Sequence, residues 1–295
     1  MTSKPLKLNV RFFNTAFLSI PTVALFPVWK GSVFLPVRYG VIGHPTEGPI
    51  LLDMGHAPRS PSIHPSWSLT LYEAFMDYYQ YGQSVHKNLS FLQWSYEDVK
   101  NVILTHLHVD HLGKWNAFPN ATFWISKEAW QHAQSAFPQK HRIFPEMLPP
   151  PHRVKLFETP HTKSPLSALR DDEVFSPFEG VRIVALPGHA PGHCGVWTDS
   201  EKPVFYAADA SYTLKGLVNN SERNLSRRIT GHRFAQSEMS RQRVKDLFLE
   251  GTSDVVLCHD PNVSPMDAMN WDFDITFQNN NFIYPTPQAH TKTQN

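Results

Sequence analysis

The sequence predicts an α/β protein whose strands deliver histidines and aspartates to one site. Three observations carry that expectation. Apolar, β-favouring runs at Val102-Ile103-Leu104, Val181–Leu186, Val204–Ala208 and Asp254–Cys258 read as strands, while helix-period stripes run through 66–82 and 237–250. Each of those strands leads into a residue able to bind a metal: His106, His193, Asp209 and His259 in turn. The densest stretch, Thr105-His106-Leu107-His108-Val109-Asp110-His111-Leu112-Gly113, sets three imidazoles and a carboxylate side by side just after a buried strand.

Taken in order, the chain opens with Lys4, Lys7 and Arg11 ahead of the apolar run Phe12–Pro21. Asn14 and Pro21 interrupt that run and no small-residue cleavage site follows, so it reads as a first strand and a loop rather than an export signal. Val33–Ile42 is β-rich, with Pro36 marking an edge position or a bulge. Pro45–Gly48 makes a turn, and Ile50-Leu51-Leu52 is a strand ending at Asp53. That aspartate is either a turn former or a brace for the histidine loop. Residues 66–82 read as a helix with Leu71, Phe75 and Tyr78 or Tyr79 as a core-facing stripe and Gly82 as its stop.

Ser95–Asp98 resembles a capping box opening a short turn. Ala121–Ile125 is a strand, and Ser126 caps a helix running through Ala136. Residues 137–175, rich in proline and charge, read as a long irregular connection whose His141, His152 and His161 lie at the surface. The strand Val181–Leu186 runs into Pro187-Gly188-His189-Ala190-Pro191-Gly192-His193. A helix over 237–250 points Val244, Leu247 and Phe248 inward and stops at Gly251. One domain over residues 1–287 is expected, with 288–295 as a disordered tail.

A net charge of +1 supplies no field for nucleic acid or a membrane surface, so neither is expected as a partner. No apolar run reaches the roughly 18 residues of a membrane span, and a cytoplasmic location is expected. Two cysteines exclude a disulfide framework. Cys194 follows His193 and Cys258 precedes His259; neighbours in an extended segment face opposite sides, so both cysteines are expected as small buried residues behind the site. The Asn-x-Ser/Thr triplets at Asn88 and Asn224 carry no weight without export.

Imidazole nitrogen and carboxylate oxygen suit borderline cations such as Zn²⁺. Four donors as close as His106, His108, Asp110 and His111 crowd a single ion, whereas a pair of ions about 3.5–4 Å apart shares them. The His-x-His-x-Asp-His spacing resembles the metallo-β-lactamase superfamily. That resemblance implies an αβ/βα sandwich of two mixed sheets flanked by helices. It further implies that His106, His108 and His193 hold one divalent ion, that Asp110, His111 and His259 hold a second, and that Asp209 bridges them. Zn²⁺ is the expected metal, and His189 is left as a neighbour of the ligand His193.

Within the superfamily the chain is most similar to the N-acyl-homoserine lactonases, over roughly residues 30–260. The matching pieces are Gly48–Asp53, the His106–His111 loop, the Pro187–His193 turn, Asp209-Ala210-Ser211-Tyr212 and His259-Asp260. The resemblance implies a quorum-quenching hydrolase of small lactones, compatible with a homodimer, with Asp110 and Tyr212 as catalytic residues. Tyr212 would face the lactone carbonyl, where a phenol can donate to a developing oxyanion.

Two features depart from the pattern. Residues 214–236 carry Lys215, Arg223, Arg227, Arg228 and Arg233 against Glu222 alone, and the tail beyond His259 holds Trp271, Phe273, Phe277, Phe282 and Tyr284. A thioesterase of the glyoxalase II type, or a phosphodiesterase or phosphotriesterase, would share the same ligands. The bridging Asp209 argues against a true β-lactamase. His108, standing where a redox di-iron branch carries glutamate, argues against that class.

Overall fold

Two mixed β-sheets stack face to face, and helices cover both outer faces. In this computed structural model, residues 8–25, 31–79, 85–222 and 231–261 are described. The first sheet contains β1 (Asn9–Pro21), β2 (Ser32–His44), β3 (Gly48–Leu52), β4 (Asp77–Tyr79), β5 (Asn101–Ile103), β6 (Thr122–Ser126) and β7 (Val154–Phe157), in the order β4-β1-β2-β3-β5-β6-β7. The second contains β8 (Phe175–Phe178), β9 (Val181–Ala185), β10 (Cys194–Thr198), β11 (Val204–Ala208) and β12 (Asp254–Leu257), in the order β12-β11-β10-β9-β8. The helices among the described residues are α1 (Thr22–Leu25), α2 (Trp67–Phe75), α3 (Val85–Phe91), α4 (Val109–Leu112), α5 (Lys127–Ala133), α6 (Leu214–Asn219) and α7 (Phe234–Glu250). This is the sandwich that the resemblance implied.

Phe12, Ile42, Ile50, Leu52 and Ile103 of the first sheet meet Ile183, Val196, Tyr206 and Val256 of the second in a buried layer. The outer face of the first sheet, with Val41, Leu51, Val102 and Phe123, packs beneath α2, α3 and α5. The outer face of the second, with Val184, Phe205 and Leu257, packs beneath α6 and α7. Sheets covered on both faces need strands apolar on both faces. β5 and β11 are accordingly buried throughout, and each buried Val, Ile or Phe among them contributes about 1.5–3 kcal/mol.

The strands β3, β5, β6 and β7 run parallel, as do β11 and β12. Their C-terminal ends gather Asp53, the His106–His111 loop, Asp209 and His259 at one rim of the sandwich. Pro36 lies where β2 pairs with β1 alone, since β3 reaches only Gly40–His44. A proline is tolerated on that unpaired flank, and the irregularity falls on β1 between Asn14 and Ala16.

The structure corrects several boundaries. Ser66 caps α2 by accepting the Leu69 amide, but the helix ends at Phe75 and the chain then pairs as β4, with Tyr78 opposite Leu18. Strand pairing with β1 wins over continuation of the helix. The apolar stripe marked the wrong face: Trp67 and Phe75 are 79% exposed and Leu71 41%, while Leu69 and Tyr72 turn inward. α5 ends at Ala133 rather than Ala136, and the 137–175 connection contains five short 3₁₀ turns and β7. At α7, Val244 and Leu247 are buried and Gly251 closes the helix at φ 67°, but Phe248 is partly exposed. Lys4, Lys7, Gly82, Arg223, Asn224, Arg227, Arg228, the aromatic residues from Trp271 to Tyr284 and the 288–295 segment lie outside the described residues.

Candidate metal centre

The histidine loop is braced from behind by the exit of β3. Asp53, fully buried at φ 59°, accepts hydrogen bonds on one carboxylate from Thr105 N (2.8 Å), Thr105 Oγ1 (2.8 Å), His111 Nδ1 (2.8 Å) and Tyr206 OH (3.1 Å). Of the two readings of Asp53, the brace is the one observed. Met54 N and Gly113 N then bond His111 O and Gly55 O at 3.0 Å. Gly113 has φ 47°, and a Cβ there would stand 2.6 Å from Met54 Cβ, so no side chain fits.

Four imidazoles are held in one tautomer by this kind of contact. Thr105 Oγ1 spends its proton on Asp53, so His106 Nδ1 must donate to Thr105 Oγ1 at 3.1 Å. His111 Nδ1 donates to Asp53, His193 Nδ1 to Leu186 O (2.8 Å) and His259 Nδ1 to Pro36 O (2.8 Å). In each neutral ring Nε2 is left as the acceptor, the arrangement that orients metal-ligating histidines. His108 and His189 are held differently: His189 Nε2 lies 3.1 Å from His108 Nδ1.

Asp209 stands at the centre. Its carboxylate lies 3.2 Å from His259 Nε2, 3.3 Å from His189 Nε2, 3.4 Å from His111 Nε2 and 3.9 Å from His106 Nε2. Donor atoms converge in two groups that share it: His106, His108, His189 and Asp209, and His111, Asp209, Cys258 and His259. Asp110 stands beside the second group, 3.5 Å from His259 Nε2 and 4.0 Å from His111 Nε2. His193 lies outside both groups; its Nε2 accepts the Asp209 amide at 3.3 Å, and its ring is 5.1 Å from that of His106. Both cysteines are buried as expected, Cys194 against Thr105 O, but Cys258 joins a donor group that sequence reasoning did not assign to it.

The electrostatics are those of a site short of positive charge. Burial pushes His106 and His108 well below the usual histidine range, and neighbouring imidazoles push the same way. Burial opposes charge on His111 and His259 too, but Asp209 together with Asp53 for the first and Cys258 for the second raises both well above that range. Asp209 is held well below the usual carboxylate range against its own burial, chiefly by His259 and His111. His106 Nε2, His111 Nε2 and Asp209 Oδ1 are buried without a hydrogen-bond partner. Orphan donors of nitrogen and carboxylate type around one carboxylate are what divalent cations satisfy, so the residues fit a metal centre.

Tyr212 sits half-buried with its ring 6.1 Å from that of His259. A network that the sequence did not reveal fixes its neighbours. Glu222, fully buried as a side chain, accepts from Ser211 Oγ (3.0 Å), Thr213 N (2.9 Å) and Arg241 Nη1 (2.7 Å). The lone acid of the basic segment therefore holds the residues on either side of Tyr212. Its partner arrives from mid-α7, too far along the chain for any local pattern to signal. His189, Asp209, Tyr212 and Glu222 line a small cleft beside this network.

The family model described as the Metallo-beta-lactamase superfamily matches residues 32–259. The N-acyl homoserine lactonase AttM of Agrobacterium fabrum is 29% identical over 188 residues, covering 61% of this chain and 66% of that protein. An N-acyl homoserine lactonase of a Bacillus species is 27% identical over 176 residues, covering 59% and 63%. The chain thus spans just under two thirds of the length of these curated relatives. Among solved structures, an N-acyl homoserine lactone hydrolase with the product N-hexanoyl-L-homoserine at its catalytic metal centre superposes with a TM-score of 0.64 at 19% identity, over 88% of this chain and 95% of that one. AidC, a dizinc quorum-quenching lactonase in complex with a product, gives 0.62 at 14% identity, over 88% and 89%. At these identities the structural likeness speaks for the fold alone.

Proposed function

The chain belongs to the metallo-beta-lactamase superfamily, and we propose that within it the protein is a dinuclear-metal hydrolase that opens the ring of N-acyl-homoserine lactones. The observation that carries this reading is Asp209, one carboxylate shared by two converging donor groups at strand ends. The curated relatives named as lactonases support the substrate class.

In this reading His106, His108 and His193 hold one ion, Asp110, His111 and His259 the other, and Asp209 both. We keep His193 as a ligand although His189 lies nearer Asp209. Its Nδ1–H is fixed on Leu186 O as in the other pinned rings, whereas His189 Nε2 is shared between His108 Nδ1 at 3.1 Å and Asp209 at 3.3 Å. Two divalent cations, Zn²⁺ by the nitrogen and carboxylate donor set, would when bound supply an activated water and an electrophile for a carbonyl at neutral pH.

The chain's own groups do the rest. As the water oxygen bonds to the lactone carbonyl carbon, charge builds on the carbonyl oxygen and Tyr212 OH donates to it. Asp110, beside His259, takes the proton released and returns it to the ring oxygen as the C–O bond breaks, leaving the N-acyl-homoserine acid. The Glu222–Arg241 pair keeps Ser211 and Thr213, and so Tyr212, in place.

The test is a substrate panel on metal-analysed protein: lactones of several acyl lengths, thioesters and phosphodiesters. Two ions per chain and lactone opening are expected. One ion or none after reconstitution overturns the dinuclear centre. Thioester or phosphodiester cleavage without lactone opening overturns the substrate class and leaves the centre standing.

A further inference from the structure

Beside the turn that carries His189, three more histidines meet. His132 comes from α5, His141 from the turn over Pro138–His141, and His232 from the residues that lead into α7. Their ring centres are 5.0 Å (His132 to His141), 4.6 Å (His141 to His232) and 5.3 Å (His132 to His232) apart, and every pair is steeply inclined, at 77–85°. Three imidazoles on a single ion, each nitrogen about 2.0–2.1 Å from it, place their ring centres about 4.5–5.3 Å apart between octahedral and tetrahedral angles. All three observed spacings fall in that range.

The hydrogen bonding agrees. His132 Nδ1 donates to Glu128 O at 2.9 Å, which leaves Nε2 as the acceptor and fixes the ring as a ligand histidine is fixed. His232 Nε2 is shielded from solvent and bonds to nothing, a state that costs free energy until a partner arrives. Burial and the neighbouring imidazoles lower His141 and His232, the latter to about 4, so both rings are neutral at pH 7. Lys140 and Arg233 oppose a dication here, and Glu128 favours it.

We propose that His132, His141 and His232 form a separate site for one transition-metal ion. An all-imidazole set selects Zn²⁺, Ni²⁺ or Cu²⁺ over Mg²⁺ and Ca²⁺. The rings are gathered while their nitrogens are not all turned to one point, so capture involves a ring rotation, which the unbonded Nε2 of His232 permits. His232 N donates to His189 O at 2.9 Å and Arg233 N to Gly188 O at 2.8 Å. An ion in the triad therefore fastens α5 to the turn that carries His189 and His193.

The test uses Zn²⁺ alone, by equilibrium dialysis and metal analysis of wild type, His141→Ala/His232→Ala and Asp209→Ala. Wild type is expected to hold one ion per chain more than the histidine double variant, and Asp209→Ala to retain that ion. Equal content in wild type and double variant overturns the site. The count left in the double variant reports the strand-end centre by itself, so failure of one site is told apart from failure of the other. If the double variant loses its circular dichroism signal, His141→Gln on the partly exposed turn replaces it. Imidazole NMR provides a second readout on wild type: Zn²⁺ should shift the resonances of His132, His141 and His232 together, and movement of fewer than three overturns the proposal.

Discussion

The two histidine clusters differ less in the number of rings than in what stands behind them. At the strand ends His106, His111, His193 and His259 each give Nδ1–H to a fixed oxygen, and Asp209 lies among four imidazoles. Around α5, among the described residues, His132 alone is pinned in this way, and Glu128 contributes its charge from a position 4.0 Å from His161. The first cluster is preorganised by oxygens carried on strands and strand exits of the two sheets; the second relies on turns and a helix end. Metal affinity follows the supporting oxygens as much as the donors, so the strand-end centre should outcompete the triad for a limiting ion.

The comparison breaks most completely at Asp209. Asp209→Ala removes the carboxylate common to both donor groups and leaves His111 and His259 with Asp53 and Asp110 as their remaining acidic neighbours, a loss of up to about 3–5 kcal/mol in the metal-free protein. Metal content at the strand-end centre and hydrolase activity should both vanish. Full activity in this variant would show that the shared carboxylate is misassigned. Next comes the Glu222–Arg241 pair. Arg241→Met strands a buried carboxylate, and a stability loss of similar size, about 3–5 kcal/mol, is expected in chemical denaturation; a change within roughly 0.5 kcal/mol, that of an ordinary surface substitution, would mean that the pair does not hold the Tyr212 segment.

The turn holding His189 and His193 sharpens the comparison further. If a pinned ring marks a ligand, His193→Ala lowers metal affinity by at least the roughly 10–100-fold typical of losing supporting contacts, and His189→Ala by less. Competition against a chelator measures both, and the reverse order would reassign the ligand to His189. Tyr212→Phe should lower kcat on acyl-homoserine lactones about tenfold to a hundredfold, with metal content unchanged. An unchanged kcat would remove Tyr212 from the chemistry.

The smallest effect is on pH dependence. His111 and His259 have folded-state pKa values raised above the ordinary value of about 6.5. In metal-free protein their contribution to stability is complete below about pH 6.5 and fades as pH rises through the folded values, by about 1.4 kcal/mol per pH unit for each histidine. Asp209 acts oppositely, its contribution present above about pH 3.9 and lost as pH falls through its depressed value. Burial raises the Cys258 thiol, but His259 and His111 bring it below its ordinary range, so its contribution grows as pH rises and offsets part of this loss. The Tm of metal-free protein should therefore decline from about pH 6.5 upward by less than the two histidines alone imply, and metal binding near neutrality should release protons. A Tm that climbs over that range would contradict the raised histidines.

The sequence by itself determined the strand-end logic. Apolar runs such as Val204–Ala208 must be buried, and a residue following a buried strand is delivered to its rim. Asp209, His259 and the His106–His111 loop were therefore legible as one site from the chain alone. Helix periodicity located α2 and α7 but not the faces they use: Leu71 and Phe75 turned outward because the residues that pack on the sheet, Leu69 and Tyr72, lie on the other side of the same helix. Only the tertiary structure decided that Asp53 is a brace, that Glu222 is buried against Arg241, and that His132, His141 and His232 meet. The physical reason is common to all three. Local sequence encodes which surfaces must leave water, whereas the contacts that join Glu222 to Arg241, or His132 to His232, link segments far apart in the chain whose meeting depends on the final stacking of the sheets and helices.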